Sequence, residues 1–126
     1  MLETATLGAE WARAFAGKDH DRVRELLDPQ VDFRALTPSR FWEASDVEAL
    51  ISHVRREWLE DSGDVEAIER IETDQVADRE RVGYRLVVRN PEGRFVVEQQ
   101  AYLSARDGRI AWMRVVCSGF RPIASG

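Results

Sequence analysis

Cysteine is all but missing from this chain. Cys117 stands alone among 126 residues, which excludes an intramolecular disulfide and a cysteine-built zinc site and points to a reducing, cytoplasmic setting. Histidine is nearly as scarce, with only His20 and His53, and no acidic cluster at ligand spacing joins them. A metal site therefore has no basis. No glycine-rich phosphate loop is present, and no cofactor is expected. No stretch approaches the roughly 18 apolar residues of a spanning helix, and the opening MLETATLGAEW lacks the basic patch and apolar core of an export signal. A membrane is not an expected partner. Positive charge is also in deficit, with a net charge of -5 and a pI near 5.1, so nucleic acid is not expected either. Lys18 is the one lysine among 18 basic residues, a bias that reads as codon usage in a GC-rich bacterial genome.

What is there is globular. Hydrophobic residues make up 44% and charged residues 33%, without repeats or linkers, so residues 1–126 read as a single domain able to bury one core. Leu7, Trp11, Ala14 and Phe15 share one helical face up to Gly17, and Val23, Leu26 and Leu27 form a second short stripe after Asp19. Val31, Phe33 and Ala35 alternate as a strand, with Asp32 and Arg34 facing away. Ser45 and Glu48 match a capping box, and a third helix is expected over about residues 46–60 through Val47, Leu50, Ile51, Val54 and Trp58. Antiparallel strands are expected over 65–76, 81–90, 94–105 and 109–118.

Two turns set the expected register. Asn90-Pro91-Glu92-Gly93 suits a type I turn closed by a glycine bulge, pairing Asn90 with Arg94, while Asp107-Gly108 suits a two-residue hairpin pairing Arg106 with Arg109. Both place Val82, Tyr84, Leu86, Val88, Val96, Glu98, Gln100, Tyr102, Met113, Val115 and Cys117 on one face, the expected core. Phe95, Val97, Leu103, Trp112 and Val116 then face outward among arginines. That is too much apolar surface for water, and a homodimer is expected to cover it.

Helix, helix, strand, helix and a long sheet ending in DGRIAWMRVVCSGF resemble the nuclear transport factor 2-like superfamily, the SnoaL-like group in particular. The carriers are Trp11 to Phe15, DHDRVRELLDPQVDF from Asp19 to Phe33, the Ser45-Asp46 helix start and the Asp107-Gly108-Arg109-Ile110 hairpin. The resemblance implies an α+β roll of the cystatin-like kind: a cone-shaped, curved antiparallel sheet packed on three N-terminal helices. Its members include ketosteroid isomerases, polyketide cyclases, limonene-epoxide hydrolase and scytalone dehydratase, alongside many proteins that simply bind. The isomerase residues do not carry over, because the tyrosine donor falls on Trp11, the aspartate base on or near Phe33 and the oxyanion acid near Gln100. The Asp-Arg-Asp set of the epoxide hydrolase is absent as well.

The sharpest candidate is Glu98, an inward carboxylate whose charged form desolvation disfavours, as a general acid–base group needs. The plainer reading is a buried acid neutralised by an arginine or a tyrosine hydroxyl. Gln100, Tyr102 and Tyr84 can orient a carbonyl or hydroxyl, or else satisfy one another. Trp11, Phe15, Phe33, Met113, Val115 and Cys117 are expected to line an apolar pocket, with Trp42 as a lid or ordinary core residue and His53 and Arg56 at its rim or in solvent. Three functions follow as expectations: a cofactor-free cyclase, isomerase or dehydratase using Glu98, a non-catalytic binder of a small hydrophobic molecule, or a protein-interaction domain.

Overall fold

Thr6 opens the first helix, its hydroxyl accepting from the Ala9 backbone N–H at 3.1 Å and so satisfying one of the amides that a helix start leaves without a partner. The computed structural model describes residues 6–38, 40–54 and 64–123. Helix α1 runs Leu7–Ala16 and ends at Gly17. Asp19 caps α2 (His20–Leu26) by accepting from the Arg22 N–H. Asp46, rather than Ser45, caps α3 (Val47–His53), because its carboxylate accepts from the Ala49 N–H at 2.8 Å. The expected continuation of α3 through Trp58, and the rim position of Arg56, lie outside the described residues.

The described residues also form seven strands: β1 Leu27–Thr37, β2 Arg40–Ala44, β3 Asp64–Val76, β4 Arg79–Asn90, β5 Gly93–Arg106, β6 Arg109–Cys117 and β7 Arg121–Pro122. They form one curved, unclosed sheet in the order β2-β1-β6-β5-β4-β3, with β7 beside β5. The expectation of an all-antiparallel sheet is corrected at one pair, since β1 and β6 run parallel. No tight turn joins these two strands. A helix and several strands separate them in sequence, so hairpin geometry does not dictate their sense. The α+β class holds. The three helices cover the concave face, where Trp11, Phe15, Leu50, Phe33, Leu86 and Met113 meet in the core.

The register of β5 departs from expectation at both of its neighbours. Asn90 pairs directly with Gly93, leaving a loop of Pro91 and Glu92 only, so Tyr84 meets Gln99 and Leu86 meets Val97. At the other turn Arg106 pairs with Arg109 as expected. A bulge between Ser104 and Ala105 then brings Ser104 to Trp112 and Leu103 to Met113, with Ala111 as the extra residue. Each slip is one residue, and one residue turns every side chain of a strand over. Val97, Gln99, Ala101 and Leu103 are therefore the concave series of β5, and all four are buried.

The convex face changes accordingly. Phe95, Val97 and Leu103 leave it. Trp112 stays but is half-buried beneath the guanidinium groups of Arg79 and Arg114, at 4.1 and 4.5 Å from its ring centroid. Val116 stays at 54% exposure. Leu36 at 53% and Phe41 at 51% join it, and the three are register neighbours in one row across β2, β1 and β6.

Candidate functional site

Tyr84 on β4, Gln99 on β5 and Cys117 on β6 are register partners, so they form one row across the concave face. Trp11 reaches this row from α1, on the helical stripe that the sequence marks. Its indole Nε1–H donates to the Tyr84 hydroxyl at 2.9 Å, and that hydroxyl donates to Gln99 Oε1. The direction of the chain is fixed. An indole can only donate, so the phenol oxygen accepts and sends its own proton onward, which requires the carbonyl end of the Gln99 amide to face Tyr84.

Gln99 is 2% exposed and, apart from the tyrosine and the indoles, is the buried polar side chain of the described core. Its Nε2 carries two N–H donors that find no acceptor among the described residues. Burial pushes the Tyr84 phenol far above its usual range; the Trp11 donor pulls it down and the neighbouring Cys117 pushes it further up. Burial prevails, so Tyr84 remains a proton donor at any physiological pH.

The surroundings are apolar. The rings of Trp11 and Phe15 stack 5.5 Å apart, and Phe15 meets Tyr84 at 6.0 Å. The structure brings Trp11, Phe15, Phe33, Tyr84, Met113 and Val115 together, all buried on the concave side. Cys117 is half-buried at the end of its strand, where its sulfur accepts from the Gly119 N–H at 3.4 Å. Of the two expectations for Trp42, core packing holds and the lid does not, because the side chain is buried in the hydrophobic core. It lies in β2, which the sequence reading missed, and its indole donates to Thr37 Oγ1 at 3.0 Å while Arg40 covers its ring at 3.9 Å. His53 ends α3 with Nε2 3.0 Å from the Glu43 carbonyl and its ring 5.1 Å from Trp42. It docks the helix onto β2, away from the Gln99 row.

Glu98, Gln100 and Tyr102 are on the convex face, and their expected inward placement is corrected. The short loop at Pro91-Glu92 and the bulge at Ala111 turn β5 over relative to both neighbours. Glu98 Oε1 lies 3.1 Å from Arg85 and 3.3 Å from Arg70, in a half-exposed ion-pair cluster that Glu69 extends. Gln100 accepts from Arg81 at 3.3 Å, and Tyr102 sits between Arg81 and Arg114 in register. A general acid–base role for Glu98 in a desolvated pocket loses its premise. The residue that sequence reasoning missed is Gln99. A signal was present in β5 itself, since its odd series holds one polar residue among Phe95, Val97, Ala101 and Leu103, whereas the even series would bury a carboxylate.

No family model matches the sequence, and no curated protein does. Solved structures match well. A candidate isomerase from Bacillus subtilis, 17% identical, superposes with a TM-score of 0.69 over 89% of this chain and 86% of its own. A candidate polyketide cyclase from Xanthomonas campestris, 19% identical, gives 0.68 over 87% and 86%. A candidate isomerase of the SnoaL-like family from Agrobacterium tumefaciens, 17% identical, gives 0.57 over 90% and 95%. The chain has the nuclear transport factor 2-like fold. At these identities the likeness is one of fold, and the chemistry named for the neighbours belongs to them.

Within this nuclear transport factor 2-like fold a recess lies where α1 begins. It is a cleft of about 510 Å³ whose rim includes Asp74, Asp78 and Glu80 and whose wall includes Leu7 and Leu103. Glu80 is engaged there, accepting from the Gly8 N–H at 3.1 Å. Among the described residues no group of three potential ligands is placed to hold a metal ion, and no helix is long and apolar enough to cross a membrane.

Proposed function

We propose that the concave face binds a small, mainly apolar molecule without a cofactor, and that it does so by burial and hydrogen bonding rather than by acid–base chemistry. One observation supports this reading above the others: a directed polar chain, Trp11 to Tyr84 to Gln99, set in the otherwise apolar core of the concave face. Apolar walls with a few fixed polar groups are the usual makeup of small-molecule sites. None of these three side chains titrates near neutrality, because burial keeps the Tyr84 phenol protonated.

N-phenyl-1-naphthylamine, a neutral apolar fluorophore, is expected to bind saturably at one molecule per chain. Its affinity should be flat between about pH 6 and about pH 9, where carboxylates stay ionised and tyrosines neutral. The reading fails if fluorescence never saturates, or if a convex-face change such as Val116→Glu abolishes the signal while the fold survives.

The expected homodimer rests on a narrower basis than the sequence suggested. Phe41, Leu36 and Val116, each about half exposed, form a row that can pack on its own copy about a two-fold axis. Sedimentation should then give about twice 14.4 kDa, and Leu36→Glu should give the single-chain mass by placing like charges at the contact. An unchanged mass in Leu36→Glu, or a monomeric parent protein, argues against a dimer through this row.

A further inference from the structure

We infer that the Gln99 Nε2 amide is the group that reads the ligand, and that the ligand presents it with a neutral hydrogen-bond acceptor, a carbonyl or ether oxygen, on an apolar frame. The inference rests on the concave-face reading above and adds the chemical class of the occupant. Buried amides in folded proteins are nearly always hydrogen-bonded, and one that is not calls for an explanation. Gln99 is 2% exposed, its carbonyl oxygen is taken by Tyr84, and its two N–H groups lack an acceptor among the described residues. Cys117, directly opposite in register, has its sulfur engaged by Gly119.

Three features narrow what the amide can receive. Nε2 has hydrogens and no lone pair to offer, so the incoming atom must accept. The described core holds no buried cation, so an anion there would go uncompensated, which favours a neutral oxygen. Finally, Trp11 and Tyr84 hold the amide plane from the other side. The donor is thus aimed before the ligand arrives, and each bond in the chain polarises the next.

Acetophenone and ethylbenzene make a fitting pair of probes, since they differ mainly in a carbonyl where the other has a methylene. In the unaltered protein acetophenone is expected to bind about tenfold more tightly than ethylbenzene, the size of one net hydrogen bond. Gln99→Leu is expected to erase that preference while retaining ethylbenzene. Equal affinities in the unaltered protein, or a preference that survives Gln99→Leu, would overturn the inference and leave the apolar site standing. If neither probe binds, the concave-face reading falls and takes the inference with it. Should Gln99→Leu fail to fold, Gln99→Met serves in its place. In the unaltered protein the Gln99 Nε2 protons must shift with acetophenone and not with ethylbenzene, and a failure to do so counts equally against the assignment.

Discussion

Trp11→Ala is expected to destabilise the protein by about 3–5 kcal/mol, the range for deleting a large buried aromatic side chain. Trp11 is completely buried, stacks on Phe15 and supplies the first donor of the polar chain. Its removal leaves a large void beneath α1 and takes a partner from Tyr84. Against the roughly 5–15 kcal/mol by which domains are stable, that loss brings the chain close to unfolding at room temperature. Urea unfolding monitored by circular dichroism measures it. A loss below about 1 kcal/mol would mean that Trp11 is not where the concave core needs it.

Tyr84→Phe is expected to cost more than the loss of one hydroxyl suggests. The phenol is both acceptor for Trp11 and donor to Gln99, so its removal leaves a buried indole N–H and a buried amide oxygen without partners, at about 1–3 kcal/mol each. Gln99→Leu differs in kind. It deprives Tyr84 of its acceptor but also removes an amide whose Nε2 is already unsatisfied, so its cost should be smaller. The double variant Tyr84→Phe with Gln99→Leu should accordingly be more stable than Tyr84→Phe alone, with a coupling of about 1 kcal/mol or more. Strict additivity in this cycle would show that the two side chains do not share a buried bond.

Much of the fold was legible because its signals are local. The Leu7, Trp11, Ala14 and Phe15 stripe, the Asp19 cap and the Asp107-Gly108 turn each depend on neighbours in sequence, and each appears as expected. Helices and hairpin turns declare themselves within a few residues. Strand β2 did not, because Arg40–Ala44 is short and buries only Trp42 and Ala44. The parallel pairing of β1 with β6 is set by the path of the chain in between, which no local pattern encodes.

The site was legible in half. Val82, Tyr84, Leu86, Met113 and Val115 face inward as expected, since β4 and β6 keep their parity relative to each other. Strand β5 alone is turned over, and its two register slips mask each other. The loop at Pro91-Glu92 is one residue shorter than a glycine bulge requires, and the bulge at Ala111 adds one residue beyond the second turn. Each slip flips β5, so the two expected registers agree with each other while both misplace the middle strand. Consistency between turns tests only their relation. The composition of β5 was the independent witness: turning Val97, Gln99, Ala101 and Leu103 inward buries one amide, whereas the alternative buries Glu98, which in the structure rests against Arg70 and Arg85 in solvent.

Gln99 and Gln100 provide an internal control for the central claim, being adjacent residues with identical side-chain amides on opposite faces of the sheet. The most direct measurement is a ¹H–¹⁵N correlation spectrum of the side-chain amides during titration with acetophenone. The Gln99 Nε2 resonances are expected to move together with the Trp11 indole N–H, while those of Gln100, held at the surface by Arg81, stay in place. Movement of Gln100 with Gln99 unchanged would contradict both the face assigned to β5 and the site built upon it.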